Sequence, residues 1–385
     1  MNRTTGKYIS ISTTGDKAQA FLPHPLPPNP PLKIDKRLSE LIRQCEVSLG
    51  ELQVAINMIP DQEIFTYTFV RKEAILTSQI ENIQATLTDL FNFESEIIDI
   101  ENSNDIQEVC NYLEALKYSR KQIQSPKGLP VSGRLFNEIH KRLMKGVRGS
   151  KKNPGAIRKS QNWIGGTSPS NAHYIPPPPG KVSGCLNQLE TYIHSSDGTH
   201  PLIKIGLIHA QFESIHPFLD GNGRLGRLLI AILLEDYGLA SALSIYPSLH
   251  FKRYRNEYYQ LLTKTRTKGD WESWILFFLQ AIAVSAREAT DLAKNLYDLH
   301  GKLRKKLILS TDTTIASVRL FELLPSLPIL NLNRAVEALG VTKPTANNAL
   351  SQLQAKGILV EVTDGKRNRV FAYKNYLNLL TKDTG

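Results

Sequence analysis

The chain has 385 residues, 41% of them hydrophobic, which is ample for a buried core and suggests two or three domains. A formal net charge of +11 favours anionic partners such as nucleotides or nucleic acid, though it also serves plain solubility. Three scattered cysteines, Cys45, Cys110 and Cys185, with no CxxC pair, exclude a disulfide framework and a zinc site; they fit a reducing cytoplasm and read as buried thiols.

The first residues, MNRTTGKYISISTTGDKAQ, hold no apolar core of signal-peptide type. Residues 23–32 carry six prolines, which fix φ and remove donors, so this stretch is expected to be an extended arm. Helical spacing begins near Lys33 with Leu38, Leu41, Ile42, Val47 and Leu49. A second helix is expected from about Glu63 to Ser78, with Asn82 as a stop, and a third near Ala85. Further helical patterns cover about 105–124, 132–146, 181–195, 201–215, 224–237, 251–266 and 271–300, so the main body is all-α. The apolar runs at 228–234 and 275–284 are too short to span a bilayer, and no membrane contact is expected. Within this body, Gln161–Ile164 and His173–Pro176 flank a Gly/Ser/Pro/Asn-rich turn and predict a hairpin. From about Ser310 the pattern becomes helix, Gly340 turn, helix, then two strands around Asp364-Gly365, which describes a winged helix-turn-helix unit.

The densest chemistry lies in His216-Pro-Phe-Leu-Asp-Gly-Asn-Gly-Arg-Leu-Gly-Arg227. Apolar residues of helical period precede it up to Ile215 and follow it from Leu225, so it joins two buried helices. Gly221 and Gly223 allow a backbone that presents N–H groups at the start of a helix, an anion cradle. Arg224 and Arg227, three apart, can share a face and offer planar forks to phosphate oxygens. Asp220 suits Mg²⁺, and His216 suits a general base. Singly, each has an ordinary structural explanation; in this order they equip the loop to transfer a phosphate-containing group to a hydroxyl.

This stretch resembles the signature of Fic (filamentation induced by cAMP) domain proteins, His-x-Phe-x-Asp/Glu-Gly-Asn-Gly-Arg-x-x-Arg, at every defined position. The resemblance implies a Fic-type helical bundle with a β-hairpin flap, and transfer of AMP from ATP to a Ser, Thr or Tyr hydroxyl of a target protein. By the resemblance, His216 is the base, Asp220 holds Mg²⁺ and Phe218 anchors the loop. Gly221, Asn222, Gly223, Arg224, Leu225, Gly226 and Arg227 hold the nucleotide, Arg227 nearest the γ-phosphate. The segment around His173–Ile175 corresponds to the family's flap, which clamps a target by strand addition, with Ile175 beside the nucleotide. Tyr258 and Tyr259 resemble a pair in the nucleoside pocket, and equally read as one core and one surface tyrosine. Trp271 and Trp274 read as packing residues of a closing helix.

Thr77-Ser-Gln-Ile-Glu81-Asn82 resembles the family's inhibitory motif, Ser/Thr-x-x-x-Glu-Gly/Asn. Thr77 and Glu81, four apart, share a helix face, and the resemblance implies that Glu81 pairs with Arg227 and keeps it from ATP. The organisation expected is an N-terminal arm and helix over 1–60, an inhibitory region over 61–104, a catalytic core over 105–300 and the winged unit over 311–385. Lys343, Lys356, Lys366, Arg367 and Arg369 would suit DNA phosphates through residues 331–373, or the unit docks protein. Other readings stay open: a DNA-binding regulator that senses nucleotide, a relative that removes AMP, or one that transfers another group. The target, self-modification and a homodimer are likewise left open.

Overall fold

The structure is a computed structural model that describes residues 3–13, 16–59, 62–95, 103–241, 243–363, 369–382 and 384. It opens on an antiparallel hairpin, β1 (Gly6–Thr13) and β2 (Asp16–Pro23), in register from Gly6↔Pro23 to Thr13↔Asp16. The sequence reading missed this hairpin. Its alternating Ile9-Ser-Ile-Ser-Thr13 was a signal, but among its described side chains little is buried beyond Ala20, Phe21 and Pro23. Arg3 anchors the hairpin by donating to Gly269 O (2.7 Å) and pairing with Glu272 (2.8 Å).

Four helices follow: α1 (Lys36–Asn57), α2 (Gln62–Ile80), α3 (Leu87–Glu94) and α4 (Ser103–Gln124). Asp35 caps α1 by accepting from Leu38 N–H, and a reciprocal Thr86–Asp89 box caps α3. Helix α2 gives way to a turn in which Asn82 takes φ 63°, the left-handed conformation that stops helices. Next come α5 (Gly133–Leu143), α6 (Pro179–Ile193), α7 (Pro201–Ile215) and α8 (Asn222–Asp236). Helix α6 begins at the fourth proline of the 176–179 run.

Helices α7 and α8 form the centre. From Leu202 to Ile215 every residue of α7 is buried, as expected of a helix apolar nearly all round. Then come α9 (Ser248–Arg253), α10 (Arg255–Lys268) and the 38-residue α11 (Trp271–Ile308). The expected single helix over 251–266 is thus broken at Tyr254, and α11 runs beyond the expected end at 300. Helix α11 packs along α1 and α7; Trp274 Nε1–H donates to Gly206 O (2.8 Å), where a Cβ would already collide with Ile275 and Phe278.

The last part comprises α12 (Ile315–Leu323), β3 (Ile329–Asn331), α13 (Leu332–Leu339), α14 (Lys343–Ala355), β4 (Val360–Glu361), β5 (Val370–Ala372) and α15 (Lys374–Thr381). Strand β5 is central, pairing antiparallel with β3 and β4. Gly340 ends α13 at φ 64°. The expected Asp364-Gly365 turn, with Lys366 and Arg367, lies outside the described residues. This part returns to α2: Tyr376 and Thr68 hydroxyls meet at 2.7 Å, and Lys72 Nζ donates to Lys382 O (2.9 Å).

All three cysteines are free, Cys110 only partly buried. Among the described residues, no helix is long and apolar enough to cross a membrane.

Candidate functional site

The loop from His216 to Gly221 joins α7 to α8. His216 caps α7 at φ 49°, ψ 62°, a left-handed conformation that is uncommon outside glycine and clusters at functional sites. The loop is held from three sides. Arg158 Nε–H donates to His216 O (2.9 Å) and its Nη2–H to Pro177 O, while its own backbone N–H reaches Pro217 O (3.0 Å). Asn162 Nδ2–H donates to Phe218 O (3.0 Å). Phe218 is fully buried and stacks on His140, ring centroids 3.9 Å apart. His140 accepts from Gly155 N–H at Nδ1 (2.8 Å), so its Nε2 carries the proton and donates to Asp220 O (3.0 Å). Arg158, Asn162 and His140 were not found by sequence reasoning; each sits in a local context that reads as ordinary core or turn.

The side chain of Asn222 is engaged within the loop, which leaves its backbone N–H for the expected nucleotide role. Its amide accepts from Phe218 N–H (2.9 Å) and donates to Phe218 O (2.9 Å), and the residue is 2% exposed. The side chain therefore closes the loop. Asn222→Ala is expected to lower stability by about 2 kcal/mol, because the buried Phe218 N–H loses its acceptor. A urea titration checks this: the midpoint should fall with the slope unchanged.

His216 is largely enclosed. Its Nδ1 meets no partner at full hydrogen-bond geometry, although the Glu213 carbonyl lies near enough to favour the charged ring. Burial, helped by the Arg158 charge, pushes its pKa down to about 4, so the ring is neutral near pH 7.

Asp220 accepts Gly221 N–H at Oδ1 (2.8 Å) and Lys152 Nζ–H at Oδ2 (2.9 Å). Burial opposes ionisation, but these two bonds hold the carboxyl below its ordinary range. Gly221 sits at φ 72°, and a Cβ there would strike Met144 Sδ at 2.8 Å.

The two arginines of α8 go to different acids. Arg224 is buried and ion-paired with Glu108, itself 2% exposed, instead of sharing a free face with Arg227. Burial pushes the Glu108 carboxyl up against the pull of Arg224. Arg227 donates through Nε–H to Thr77 Oγ1 (2.7 Å), and through Nη2–H to Thr77 O (3.2 Å) and Glu81 Oε1 (2.6 Å). The Arg227 side chain is 1% exposed while that of Glu81 is 35% exposed, so the pair is sealed on one side and open on the other. Although burial opposes it, the Arg227 charge keeps the Glu81 carboxyl below its ordinary range. Asn82 Oδ1 accepts from Arg255 (3.0 Å).

Tyr258 is fully buried, its hydroxyl 2.9 Å from His209 Nε2, whereas Tyr259 is 41% exposed. His209 Nδ1–H donates to Gly226 O (2.9 Å), so Tyr258 supports α8 from behind. Leu225 is wholly buried and packs in the core. The flap is reduced to one antiparallel bridge, Ile164↔Tyr174. Ile175 is buried and its carbonyl accepts from Phe21 N–H (2.8 Å), so β2 already takes that edge.

The donor set permits Mg²⁺. Among the described residues no cluster of three or more His, Cys, Asp or Glu could cage a metal, but Mg²⁺ is commonly held by one carboxylate plus substrate phosphates. Asp220 offers an ionised oxygen whose present partner, Lys152, is 52% exposed and can swing away at little cost.

A neutral imidazole, an ionised carboxylate and a buried arginine thus converge on the start of one helix in a mostly helical protein. This is the class of the Fic fold. Residues 130–234 match the Fic/DOC family model and residues 39–121 the Fic/DOC family N-terminal model; the chain belongs to the Fic/DOC family. It is similar to the protein adenylyltransferase Fic of Drosophila yakuba, 29% identical over 182 residues that make 47% of this chain and 33% of that protein. It is likewise similar to that of Aedes aegypti, 32% identical over 142 residues, 36% of this chain and 25% of that protein. The chain therefore spans a third or less of the length of these curated relatives. A crystal structure of a Fic family protein from Desulfovibrio desulfuricans superposes with a TM-score of 0.58 at 21% identity, covering 89% of this chain and 97% of that one. Fic-1 from C. elegans gives a TM-score of 0.51 at 18% identity, covering 68% and 74%. These two likenesses speak to the fold.

Proposed function

We propose that this protein is an ATP-dependent protein adenylyltransferase, restrained by Glu81. The observation that carries the reading is the neutral imidazole of His216, with no side-chain partner among the described residues, at the mouth of a helix whose buried arginine is engaged by Glu81. His216 takes the proton from a target Ser, Thr or Tyr hydroxyl. The hydroxyl oxygen then forms a bond to the α-phosphorus of ATP, the bond to the β-phosphate oxygen breaks, and pyrophosphate leaves. Asp220 would hold Mg²⁺, which when bound neutralises phosphate charge. The free N–H groups at the start of α8 cradle phosphate, and Arg227, once released by Glu81, holds the γ-phosphate. Arg224 supports this face from its pair with Glu108. Tyr259 and Ile175 border the nucleoside, with Tyr258 behind. The target segment meets the flap at the backbone groups that β2 leaves free.

The test is incubation with labelled ATP and Mg²⁺, followed by mass measurement of the products. An added mass of one AMP on the protein or a target supports the reading; label that never becomes covalent overturns it.

The pH profile gives a second check. The neutral ring is the base, and its lowered pKa extends that form into acid. Transfer should stay level from pH 8 down to about 5 and fall with an acid limb near 4. A limb near 6.5, the ordinary imidazole value, would mean that His216 is not enclosed in the working state.

The second reading, DNA binding by a winged unit at 331–373, has some support from α14, whose Lys343, Thr345, Asn347 and Asn348 are exposed and which carries no acid. Two of the charges expected to contact phosphate are otherwise engaged, however: Lys356 with Asp312 (2.7 Å) and Arg369 with Glu361 (2.6 Å). Salt-dependent binding to random duplex DNA would favour this reading, and its absence would favour protein docking.

A further inference from the structure

Glu213 lies on α7, one turn before His216, and is 8% exposed. Its Oε1 is enclosed without a partner among the described residues. The neighbouring acids are all met. Glu73 accepts from Ser248 Oγ–H (2.5 Å) and N–H (3.2 Å), Glu108 pairs with Arg224, and Glu81 pairs with Arg227. A buried carboxyl with no donor is costly and calls for a reason.

Two glycines of α8 show where this acid sits. A Cβ on Gly223 would lie 2.4 Å from Glu81 Oε1 and 3.0 Å from Arg227 Nη1. A Cβ on Gly226 would lie 2.4 Å from Glu213 Oε1. Positions three apart share a helix face, so the two carboxylates overlie successive turns of α8; Glu81 is paired with Arg227, while Glu213 feels its charge from beyond ion-pair distance. Gly226 falls on an unconstrained position of the motif; here a side chain would evict Glu213. The charged and titratable groups facing Glu213 are Arg227 from α8, Glu81 from the turn after α2, and Arg266, Tyr258 and Tyr259 from α10.

We propose that Glu213 is a positioning residue: a second carboxylate for Arg227, which takes over its charge when Glu81 withdraws. This rests on the reading of Arg227 as the arginine that ATP must reach. Two carboxylates beside one guanidinium do not both ionise cheaply. While Glu81 is seated, burial pushes the Glu213 carboxyl up to about 7, with the Glu81 charge adding to it and Arg227 and Arg266 pulling the other way. Withdrawal of Glu81 removes the repelling charge. Glu213 then releases its proton to solvent and holds the guanidinium against α8.

The sign of the stability effect follows. An acid raised from its ordinary 4.5 to about 7 binds more protons folded than unfolded between those values. Its contribution to stability therefore falls as pH rises through that window and is fully unfavourable by about pH 8. With Glu81 gone, the ionised acid is paired with Arg227 and its contribution reverses.

The experiment is a thermal-unfolding cycle on the full chain at pH 8: wild type, Glu213→Gln, Glu81→Gly and the double variant. Glu213→Gln should raise the midpoint in the wild-type background. It should lower it by about 2 °C or more in the Glu81→Gly background, where Arg227 then loses a buried counter-charge. Glu213→Met carries the same two expectations and is read if the glutamine variant does not melt cooperatively. Shifts of the same sign in both backgrounds overturn the proposal. Transfer assays are a separate arm, in which Glu81→Gly/Glu213→Gln should show a raised KM for ATP relative to Glu81→Gly, and Glu81→Gly/Glu213→Asp should restore it. If Glu81→Gly transfers nothing, the adenylyltransferase reading fails, while the melting cycle still decides the role of Glu213.

Discussion

Glu81→Gly is expected to raise AMP transfer roughly 10- to 30-fold over the wild-type chain. The magnitude comes from one charge-assisted hydrogen bond between Glu81 and a buried guanidinium, worth about 1.5–2 kcal/mol. The lower end is favoured because the Glu81 side chain is 35% exposed and solvent competes for it. Thr77 contributes two further bonds to Arg227, so the wild-type guanidinium is held by three contacts, of which glycine at 81 removes one. Glu81→Gln separates charge from contact. It keeps an acceptor near Arg227 without the ion pair, and its activity should fall between the two. The check is the initial rate of label incorporation for the three proteins side by side at saturating Mg²⁺ and ATP. Equal rates for wild type and Glu81→Gly would show that the observed pair does not restrain catalysis.

The parts of this site that could be read in advance are those written in local spacing. Apolar period up to Ile215 and from Leu225, with Pro217, Gly221 and Gly223 between, places a helix–loop–helix junction without any tertiary knowledge. Thr77 and Glu81 share a face because helices repeat every 3.6 residues. What could not be read is which distant group meets which. Arg224 and Arg227 look alike in sequence, yet their acids, Glu108 on α4 and Glu81 in the turn after α2, come from opposite sides of α3 in the chain. Asn222 sits between two glycines and reads as a ligand, but its amide is complementary to the backbone of Phe218 four residues earlier. The break at Tyr254 has no glycine or proline within 251–266 to announce it. Charge counts in the C-terminal part could not show pairing for a related reason: Lys356 and Arg369 are basic in sequence and paired in space. Glu213 is the extreme case, a helix residue whose interest lies only in having no partner.

His216→Ala is expected to reduce transfer by about 10²- to 10⁴-fold, the usual worth of a positioned general base. The substitution also touches the backbone. Alanine adopts such a φ several-fold less readily than histidine or asparagine, so a loss of stability of up to about 1 kcal/mol accompanies it and could be mistaken for the cause. His216→Asn resolves this, because asparagine tolerates the left-handed conformation and cannot act as the base. Both variants should be equally inactive, with the asparagine protein melting closer to wild type. No side chain among the described residues bonds to the ring, so removing it leaves no side-chain group newly unmet. The loop keeps its ties from Arg158, Asn162 and Asn222 to the backbone of residues 216–218. The decisive protein is Glu81→Gly/His216→Asn. If Glu81 only controls access to Arg227, opening the pocket cannot supply a proton acceptor, and the double variant should be as inactive as His216→Asn alone. Activity in that double variant above the single would place the base elsewhere, and Glu213, three residues away on the same helix, would be the first group to examine.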